Sequence, residues 1–308
     1  MSMQNKPTYG GQAVIEGVMI RGQNHISVAV RRPDGTIAIQ MQPLSQLFTG
    51  RLRKLPLVRG VIVLIESLIL GMKALSFSAN VGMEAEGEEL SKGAMAGMMA
   101  FSLLFAVGLF FLVPVFASRA LEGVLGSDLA SNIAEGVIRL ALFFAYIVLI
   151  GRMNEIKRVF MYHGAEHMTV HAQERGDPLD IESVRKYPTA HPRCGTAFLL
   201  VVMVVSIVAF VFVGRDPLWW LITSRVVLIP VIASVSYEMI RFSGFHASNP
   251  LVQLITGPSL ALQALTTRQP DDDQIEIAIA AMQHTLDADQ GKLPSVEGVG
   301  EAEARVED

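Results

Sequence analysis

Residues 94–117 have the sequence AMAGMMAFSLLFAVGLFFLVPVFA, about two dozen residues without a charged side chain. At about 1.5 Å per residue, a helix of this length crosses the roughly 30 Å hydrocarbon core of a bilayer. The whole chain is also apolar, because 51% of its 308 residues are hydrophobic. That share is high for a soluble domain. The stretch therefore predicts a membrane-spanning helix and an integral membrane protein.

Three further stretches have the length and composition of spanning helices, namely 133–151, 196–213 and 217–240. Arg139 and Arg225 are the only basic residues in them. Since a spanning helix needs about 20 mostly apolar residues, the sequence predicts two helix pairs. These pairs occupy the segments 94–151 and 195–240.

Residues 57–79 are apolar too, but Arg59, Glu66 and Lys73 recur at seven-residue intervals. This spacing places all three on one helical face. A charged stripe is typical of a helix that lies in the membrane interface or packs on protein, rather than one surrounded by lipid. We therefore expect 57–79 to form an amphipathic interfacial or re-entrant helix beside four spanning helices.

The distribution of lysine and arginine predicts the orientation, because cytoplasmic loops carry the excess. Loop 152–194 contains seven, whereas loop 118–132 contains only Arg119 and loop 214–216 only Arg215. With four spans, the N-terminus, the 152–194 loop and the C-terminus are all predicted to be cytoplasmic. The chain is thus expected to be a multi-pass protein of the cell membrane.

The N-terminal segment 8–56 has the pattern of a small cytoplasmic β unit. Two β-branched, alternating runs at 26–31 and 36–41 flank Pro-Asp-Gly at 33–35, which is a hairpin signal. Residues 10–19 are expected to form one more short strand.

Beyond the last span, residues 241–287 are expected to form cytoplasmic or interfacial helices, one of them started by acidic residues after Pro270. Residues 288–308 are charged and poor in aromatics, and are predicted to be disordered. The predicted fold is therefore mainly α, an integral membrane helical bundle with a small N-terminal β unit and cytoplasmic helices.

The most informative functional pattern lies in the 152–194 loop, at His163, Glu166 and His167. On a helix, the two imidazoles lie one turn apart on one face, and the glutamate lies on that face too. Two histidines at this spacing can bind one metal ion while the carboxylate acts on a water molecule, and His-x-x-Glu-His is the inverted zincin order. A polar helix face on a cytoplasmic loop is the alternative interpretation.

Three further residues are candidates for completing a zinc site. His191 and Cys194 lie at the end of the same loop, and Glu238 lies near the cytoplasmic end of the last span. Ionisable residues inside membrane segments are rare and usually functional. Since a catalytic zinc usually has three protein ligands, we expect one of these three to join the two histidines, with Glu166 as the general base.

These candidates also have structural interpretations. Cys194 is suited to be a small buried thiol at a helix start, and Glu238 to form a salt bridge with Arg225 or Arg241. His171, one turn beyond His167, is a further candidate for a metal ligand or for a partner of one, but the favoured expectation is that it faces solvent. The remaining histidines have no partner at a metal-binding spacing: His25, His246 and His284.

Composition and motifs exclude several classes of function. The formal net charge is −4 and the basic residues are scattered, so no nucleic-acid partner is expected. The sequence has neither a G-x-S-x-G serine turn nor a G-x-x-x-x-G-K-[ST] phosphate loop. Their absence argues against a serine hydrolase and an ATP-driven pump. With a single cysteine, the chain cannot form an intrachain disulfide.

Six motifs carry a family resemblance: GGQAVIEGVM at 10–19, YHGAEH at 162–167, HPRCGT at 191–196, YE at 237–238, NPLV at 249–252 and TTRQPDDDQIE at 266–276. Through them the chain resembles the YqhQ-like family, a bacterial domain of unknown function described as predicted metal-dependent membrane proteins. The resemblance extends from residue 9 to about residue 285. It implies a location in the bacterial inner membrane and a bound metal, but no substrate. Because Gly10, Gly11 and Glu16 belong to the pattern, it also implies that the N-terminal strand helps to line the site.

The expected function is that of a metal-dependent membrane enzyme, with zinc as the metal. A hydrolase acting at the cytoplasmic membrane surface on a lipid-linked or peptide substrate fits this site best. One alternative is a non-enzymatic scaffold or sensor with a structural metal, and another is a transporter in which Arg225 and Glu238 line a polar path. Membrane lipid is the expected partner, and a homo-oligomer is compatible with the sequence.

Overall fold

The computed structural model describes residues 9–84, 91–192, 194–246 and 249–292. These residues are mainly helical, with one antiparallel sheet near the N-terminus in the order β1-β2-β3-β4. The strands are β1 (Gly10–Val14), β2 (Gly17–Arg21), β3 (His25–Arg31) and β4 (Ile37–Pro43). The longer helices are α1 (Val58–Glu84), α2 (Lys92–Val107), α3 (Val113–Ala120), α4 (Asp128–Ile150), α5 (Asn154–Arg175), α6 (Gly195–Val211), α7 (Leu218–Val227), α8 (Ile229–Phe245), α9 (Pro250–Thr266) and α10 (Asp272–Asp289).

The predicted hairpin across 33–35 is confirmed. Strands β3 and β4 pair in antiparallel register from Arg31 opposite Ile37, and Gly35 in the connecting turn has φ +87°. That left-handed conformation is one that glycine adopts readily.

The prediction of a single strand over 10–19 is wrong, because this segment belongs to the two strands β1 and β2. The turn between them contains Glu16, which has φ 51°, a conformation uncommon for residues with a side chain. The Glu16 carboxylate accepts hydrogen bonds from the Arg158 guanidinium at 2.6 and 2.5 Å and from the Tyr162 hydroxyl at 3.2 Å. The turn is therefore held by distant residues of α5, which no local sequence signal announces.

The sheet packs between helices on both faces. Val18 and Ile20 point to one side, where they join a core with α5 and α10. Met19 and Val28 point to the other side, where they pack against α1. This alternation follows from the two-residue period of a strand. The sheet, α5 and α10 thus form one packed unit, although they are far apart in the sequence.

Among the described residues, four helices are long and apolar enough to cross a membrane: Val58–Met83, Gly93–Ala120, Asp128–Ile150 and Leu218–Ser243. Such a set is compatible with a multi-pass membrane protein. It differs from the predicted set, which counted 196–213 as a span and 57–79 as interfacial. Helix α6 has only 17 residues, whereas the apolar run of α1 continues beyond residue 79 and gives a helix of 27 residues.

The charged stripe of α1 is explained by protein contacts rather than by solvent. Glu66 forms ion pairs with Arg21 of β2 and with Arg53. Arg59 pairs with Glu238 of α8. Two of the three stripe residues therefore join α1 to the sheet unit and to the bundle.

The helical bundle encloses a second group of charges. The Glu135 carboxylate pairs with Arg139, Arg215 and Arg225, and all four residues are buried. Arg225 also donates to the side-chain oxygen of Asn132 at 2.7 Å. The two basic residues noted in the predicted spans thus meet a carboxylate within the bundle.

The C-terminal part of the chain contains α9 and α10. Asp271 caps α10, and the side chain of Gln274 bonds back to its backbone in a capping box. The structure thus confirms the helix that was predicted from the acidic residues after Pro270. Helix α10 ends at Asp289, and 293–308, the greater part of the predicted disordered tail, lies outside the described residues.

Candidate metal centre

Helix α5 carries three histidines on one face, at His163, His167 and His171. Residues four apart lie one turn apart on the same side of a helix, and α5 is continuous across all three. Its opposite side places apolar residues such as Met168 in the core shared with the sheet. Because the apolar side is buried there, the histidine side faces the segment 189–194.

Two glycines allow the neighbouring segments to approach this face closely. A Cβ atom on Gly164 would overlap the carbonyl oxygen of Arg268, which follows α9. A Cβ atom on Gly11 would overlap the Met19 carbonyl and lie 3.1 Å from Cγ of Glu166. Strand β1 therefore packs directly on Glu166, so the N-terminal strand lies beside the site.

The first group of potential metal ligands consists of His163, His167 and Cys194. One ligand atom from each lies within 4.8 Å of the other two. His163 Nε2 and Cys194 Sγ are 3.2 Å apart, and the two imidazole centroids are 4.4 Å apart. The structure thus brings together both histidines of the motif and one of the three candidate third ligands.

Backbone carbonyl groups orient both imidazoles. Nδ1 of His163 lies 2.8 Å from the Thr266 carbonyl oxygen, and Nδ1 of His167 lies 2.6 Å from that of Thr189. A carbonyl oxygen can only accept, so each Nδ1 carries the hydrogen. Each Nε2 then keeps its lone pair, which is how histidine ligands are held in most metal sites.

Glu166 lies beside this group, as its position in the motif predicted. Its residue is 4% exposed, and its Oε2 atom is 3.5 Å from Nε2 of His167. The carboxylate is therefore close to the imidazole nitrogen that faces the group, while β1 covers it from the other side.

Cys194 fits both interpretations made from the sequence, since it is a buried thiol at a helix start and also lies in the candidate metal group. It is the N-cap of α6, where Sγ accepts from the Thr196 backbone N–H at 3.4 Å and lies 3.0 Å from the Thr196 hydroxyl. It is also 6% exposed and faces His163. One residue thus links the start of a bundle helix to the histidine face of α5.

His191 belongs to a second group of potential ligands, together with His171 and Glu174. Burial lowers the pKa of His191, an effect that the negative charge of Glu166 partly opposes. Burial also lowers the pKa of His171, partly opposed by the hydrogen bond to Ala190. Both shifts favour neutral imidazoles, the form that binds metal ions.

The structure does not bring Glu238 to the two histidines of the motif. Its carboxylate accepts from Arg59 Nε at 2.6 Å and from the Leu57 backbone N–H at 3.1 Å, and Arg59 makes a further ion pair with it. Neither ligand group found in the described residues contains Glu238. A salt bridge was the alternative expected for this residue, and the ion pair is formed with Arg59, while the charge of Arg241 also acts on the carboxylate.

Sequence reasoning missed Glu174 at this face and favoured the wrong alternative for His171. His171 was expected to face solvent, yet it is half-buried, its Nε2 lies 2.9 Å from the Ala190 carbonyl oxygen, and its ring stacks on Tyr187. The signal was present, because His171 follows His167 by four residues and Glu174 follows His171 by three. The carbonyl groups that orient the rings leave no such signal.

Comparisons with known proteins identify a family but name no activity. The family described as "Protein of unknown function (DUF1385)" matches residues 55–288. The "Uncharacterized protein YqhQ" of Bacillus subtilis (strain 168) is 35% identical over 294 residues, which cover 91% of this chain and 92% of that protein. No solved structure matches the chain. The extent of both matches shows that the chain belongs to the DUF1385 family, of which YqhQ-like proteins are members.

Proposed function

We propose that this protein is a zinc-dependent membrane enzyme, a hydrolase whose metal is held by His163, His167 and Cys194. The observation that carries the proposal is the convergence of these three ligand atoms within 4.8 Å. They come from a polar helix and from the N-cap of a bundle helix, which are separated in sequence.

The donor atoms of this group fit zinc. Two imidazole nitrogens and one cysteine sulfur are ligands that zinc accepts, and three protein ligands leave one coordination position for water or substrate. Hydrogen bonds to the carbonyls of Thr266 and Thr189 direct both Nε2 atoms toward the group. Bound zinc would polarise a carbonyl or phosphoryl oxygen and lower the pKa of a water molecule.

In this proposal, Glu166 is the general base. Its carboxylate lies next to the group and takes a proton at Oε2 from the attacking water, which it then returns to the leaving group. Packing of β1 on Glu166 restricts the approach of bulk water from that side.

The arrangement of the helices supports a site at one face of the membrane. Strand β4 and helix α5 belong to the same packed unit, so the chain between them must cross the bilayer an even number of times. If the α2–α3 segment and α4 both cross, α1 does not. Helices α5 and α10 also belong to this unit, so the chain between them must cross an even number of times too. This holds when α6 and the α7–α8 segment cross and α9 does not.

Helix α1 has the surface of an interfacial helix. One side packs on the sheet, and the opposite side exposes Leu68, Met72 and Leu75. An apolar stripe on the outside of a polar unit is suited to the headgroup and acyl boundary of a bilayer. Together with the basic residues of 152–194, this supports an inner-membrane protein with its site and both termini on the cytoplasmic side.

The substrate class follows from the place of Cys194 at the start of α6. A centre at the end of a bundle helix meets substrates that lie in the membrane surface. A lipid-linked or peptide molecule with a hydrolysable carbonyl or phosphoryl group is therefore the proposed substrate.

Metal content of the full chain, purified in detergent, tests the proposal. We expect zinc in the wild type, loss of the first-group zinc in His163→Ala, and full retention in the control His284→Ala, whose Nδ1 bonds the Ala280 carbonyl within its own helix. Glu166→Gln should keep the metal but abolish hydrolysis of lipid-linked or peptide substrates. Absence of divalent metal from the wild type would overturn the proposal.

A structural metal is the second candidate, and one observation favours it. His163 and His167 lie on a helix of the sheet unit, whereas Cys194 starts a helix of the bundle, so a shared metal would fasten the two parts. In that case chelation should lower the melting temperature of the wild type, and Glu166→Gln should behave as the wild type does in every assay. The transporter interpretation expected Arg225 and Glu238 to line one polar path. In the structure they form separate ion pairs, Arg225 with Glu135 and Glu238 with Arg59, and this does not favour a shared path.

A further inference from the structure

We propose a second divalent-metal site, formed by His171, Glu174 and His191 beside the first group. One potential ligand atom from each residue lies within 4.8 Å of the other two. The site stands on these three residues alone. Only its description as the outer half of a two-metal centre rests on the proposed function.

Helix α5 supplies two of the three ligands. His171 is held by its Nε2, which lies 2.9 Å from the Ala190 carbonyl oxygen and must therefore donate to it. This leaves Nδ1 with a lone pair for a metal. Tyr187 stacks on the ring, with a centroid distance of 5.8 Å and an angle of 15° between the planes. Glu174, three residues further, lies on the same helical face.

His191 supplies the third ligand from the opposite segment. Its backbone is clamped by Gln263, whose side-chain oxygen accepts from the His191 N–H at 2.8 Å and whose amide donates to the His191 carbonyl at 2.9 Å. The ring is buried, and its Nε2 lies 3.4 Å and 3.5 Å from the two carboxylate oxygens of Glu174. These distances are at the long end for a hydrogen bond. The Glu174 carboxylate therefore faces Nε2 of His191.

The donor set differs from that of the first group. Two imidazole nitrogens with one carboxylate oxygen form the combination that many zinc hydrolases use. A carboxylate in place of a thiolate also makes the set suitable for harder ions such as manganese, cobalt or nickel. The occupant we propose is therefore a divalent first-row metal, with zinc as the probe to be tested.

The two groups are adjacent. The His191 ring centroid is 5.7 Å from that of His167 and 4.5 Å from that of His171, so the rings form a continuous row. The Glu174 side chain is 31% exposed, whereas Cys194 is buried. The second site is accordingly the outer one, reached from solvent before the first.

Metal counting on the full chain in detergent tests this proposal. After removal of metals with a chelator and reloading with zinc, we expect two zinc ions per wild-type chain and one in either His171→Ala or Glu174→Gln. The glutamine nearly preserves the shape of Glu174, which limits loss by misfolding. His284→Ala should keep two ions.

Cobalt loading assigns each ion to its site, because only the first group contains sulfur. A sulfur-to-cobalt charge-transfer absorption should appear in the wild type, persist in His171→Ala with half the bound cobalt, and vanish in Cys194→Ser. The persistence of this absorption also shows that the His171→Ala chain is folded around the first group.

The outcomes separate the two proposals. A single wild-type metal that survives both His171→Ala and Glu174→Gln would overturn the second site and leave the proposed function standing. A single metal lost in His171→Ala but kept in His163→Ala would support the second site and overturn the first. A single metal lost in both histidine variants would mean one mixed site and would also overturn the second site.

Discussion

Individual residues set the geometry of the candidate centre more tightly than the motif does. The pattern His-x-x-Glu-His placed His163 and His167 together because helical spacing alone brings them there. The identity of the third neighbour could not be obtained in that way. Cys194 and Glu238 were both candidates in the sequence, and the contact of Cys194 with His163 and the ion pair of Arg59 with Glu238 distinguish them.

Gly164 offers a test at this scale. In Gly164→Ala the new methyl group would overlap the Arg268 carbonyl, so α5 and the end of α9 must separate. We expect a loss of about 1–3 kcal/mol in the free energy of unfolding. The zinc affinity should fall on the order of tenfold, because the Thr266 carbonyl that orients His163 moves away.

Gly195→Ala is the matched control, since a Cβ atom there meets no other atom within 4 Å. Thermal denaturation and competitive zinc titration in detergent measure the two effects. Equal melting temperatures and equal affinities for the two variants would contradict the close approach at Gly164.

At the scale of elements, periodic patterns predicted structure well where one local period dominated. The β3–β4 hairpin and α10 are examples, because turn residues and acidic capping residues mark their limits. The β1–β2 hairpin was missed because its turn contains no glycine at the left-handed position and depends on Arg158. Hydrogen bonds from Arg158 keep the pKa of Glu16 below its usual range, so this contact persists as an ion pair at neutral pH.

Helix α1 shows what a periodic pattern leaves open. Its length and composition are those of a spanning helix, whereas its charged stripe and its packing on the sheet favour the interface. Both interpretations use the same residues, and they differ only in the angle between the helix and the bilayer. That angle gives a direct prediction.

Fluorophores attached at Leu68→Cys and Leu75→Cys should report equal depths in the bilayer. The two side chains are exposed on the outer side of α1, and a helix lying in the interface keeps them level. A spanning helix would separate them by about 10 Å along the membrane normal. Quenching by lipids brominated at different depths measures this.

Ala74→Cys is the control, because Ala74 is buried against the sheet and a fluorophore there should be quenched poorly by all of the brominated lipids. Cys194 is buried, so the unsubstituted chain sets the background. Unequal depths at Leu68 and Leu75 would mean that α1 crosses, and would force a revised topology.

On the scale of the whole molecule, contacts between the two ends of the chain hold the sheet unit together. The Asp289 side chain is 2% exposed. It accepts from the backbone N–H groups of Gln23 and Asn24 at 2.5 and 2.9 Å, and it contacts the His25 ring at 3.1 Å. The last turn of α10 is thereby tied to the loop between β2 and β3, a link that no sequence pattern predicted.

Asp289→Asn should therefore destabilise the protein by about 1–3 kcal/mol. Burial opposes ionisation of Asp289, but the backbone hydrogen bonds and the His25 ring outweigh it and keep the pKa below its ordinary value. The stabilisation is thus complete above the ordinary value of 3.8 and is lost as the pH falls through the lower pKa of the folded chain.

Asp287→Asn provides the comparison, since the Asp287 side chain accepts its hydrogen bond from Gln283 of the same helix and does not tie α10 to the sheet within the described residues. Melting temperatures of both variants, measured from pH 7 down to pH 3, check the prediction. The prediction is contradicted if the difference in melting temperature between the wild type and Asp289→Asn is the same at pH 3 as at pH 7.

The packing of α10 on the sheet also has a consequence for synthesis on the ribosome. Strands β1 to β4 are complete by Pro43, yet α10, which covers one of their faces together with α5, begins only at Asp272. At about 5–20 residues per second, the interval lasts on the order of tens of seconds, during which the bundle helices are being made. A nascent chain of this protein thus carries an incompletely covered apolar face of the sheet until α10 has been made, and chaperone binding should be concentrated in that interval.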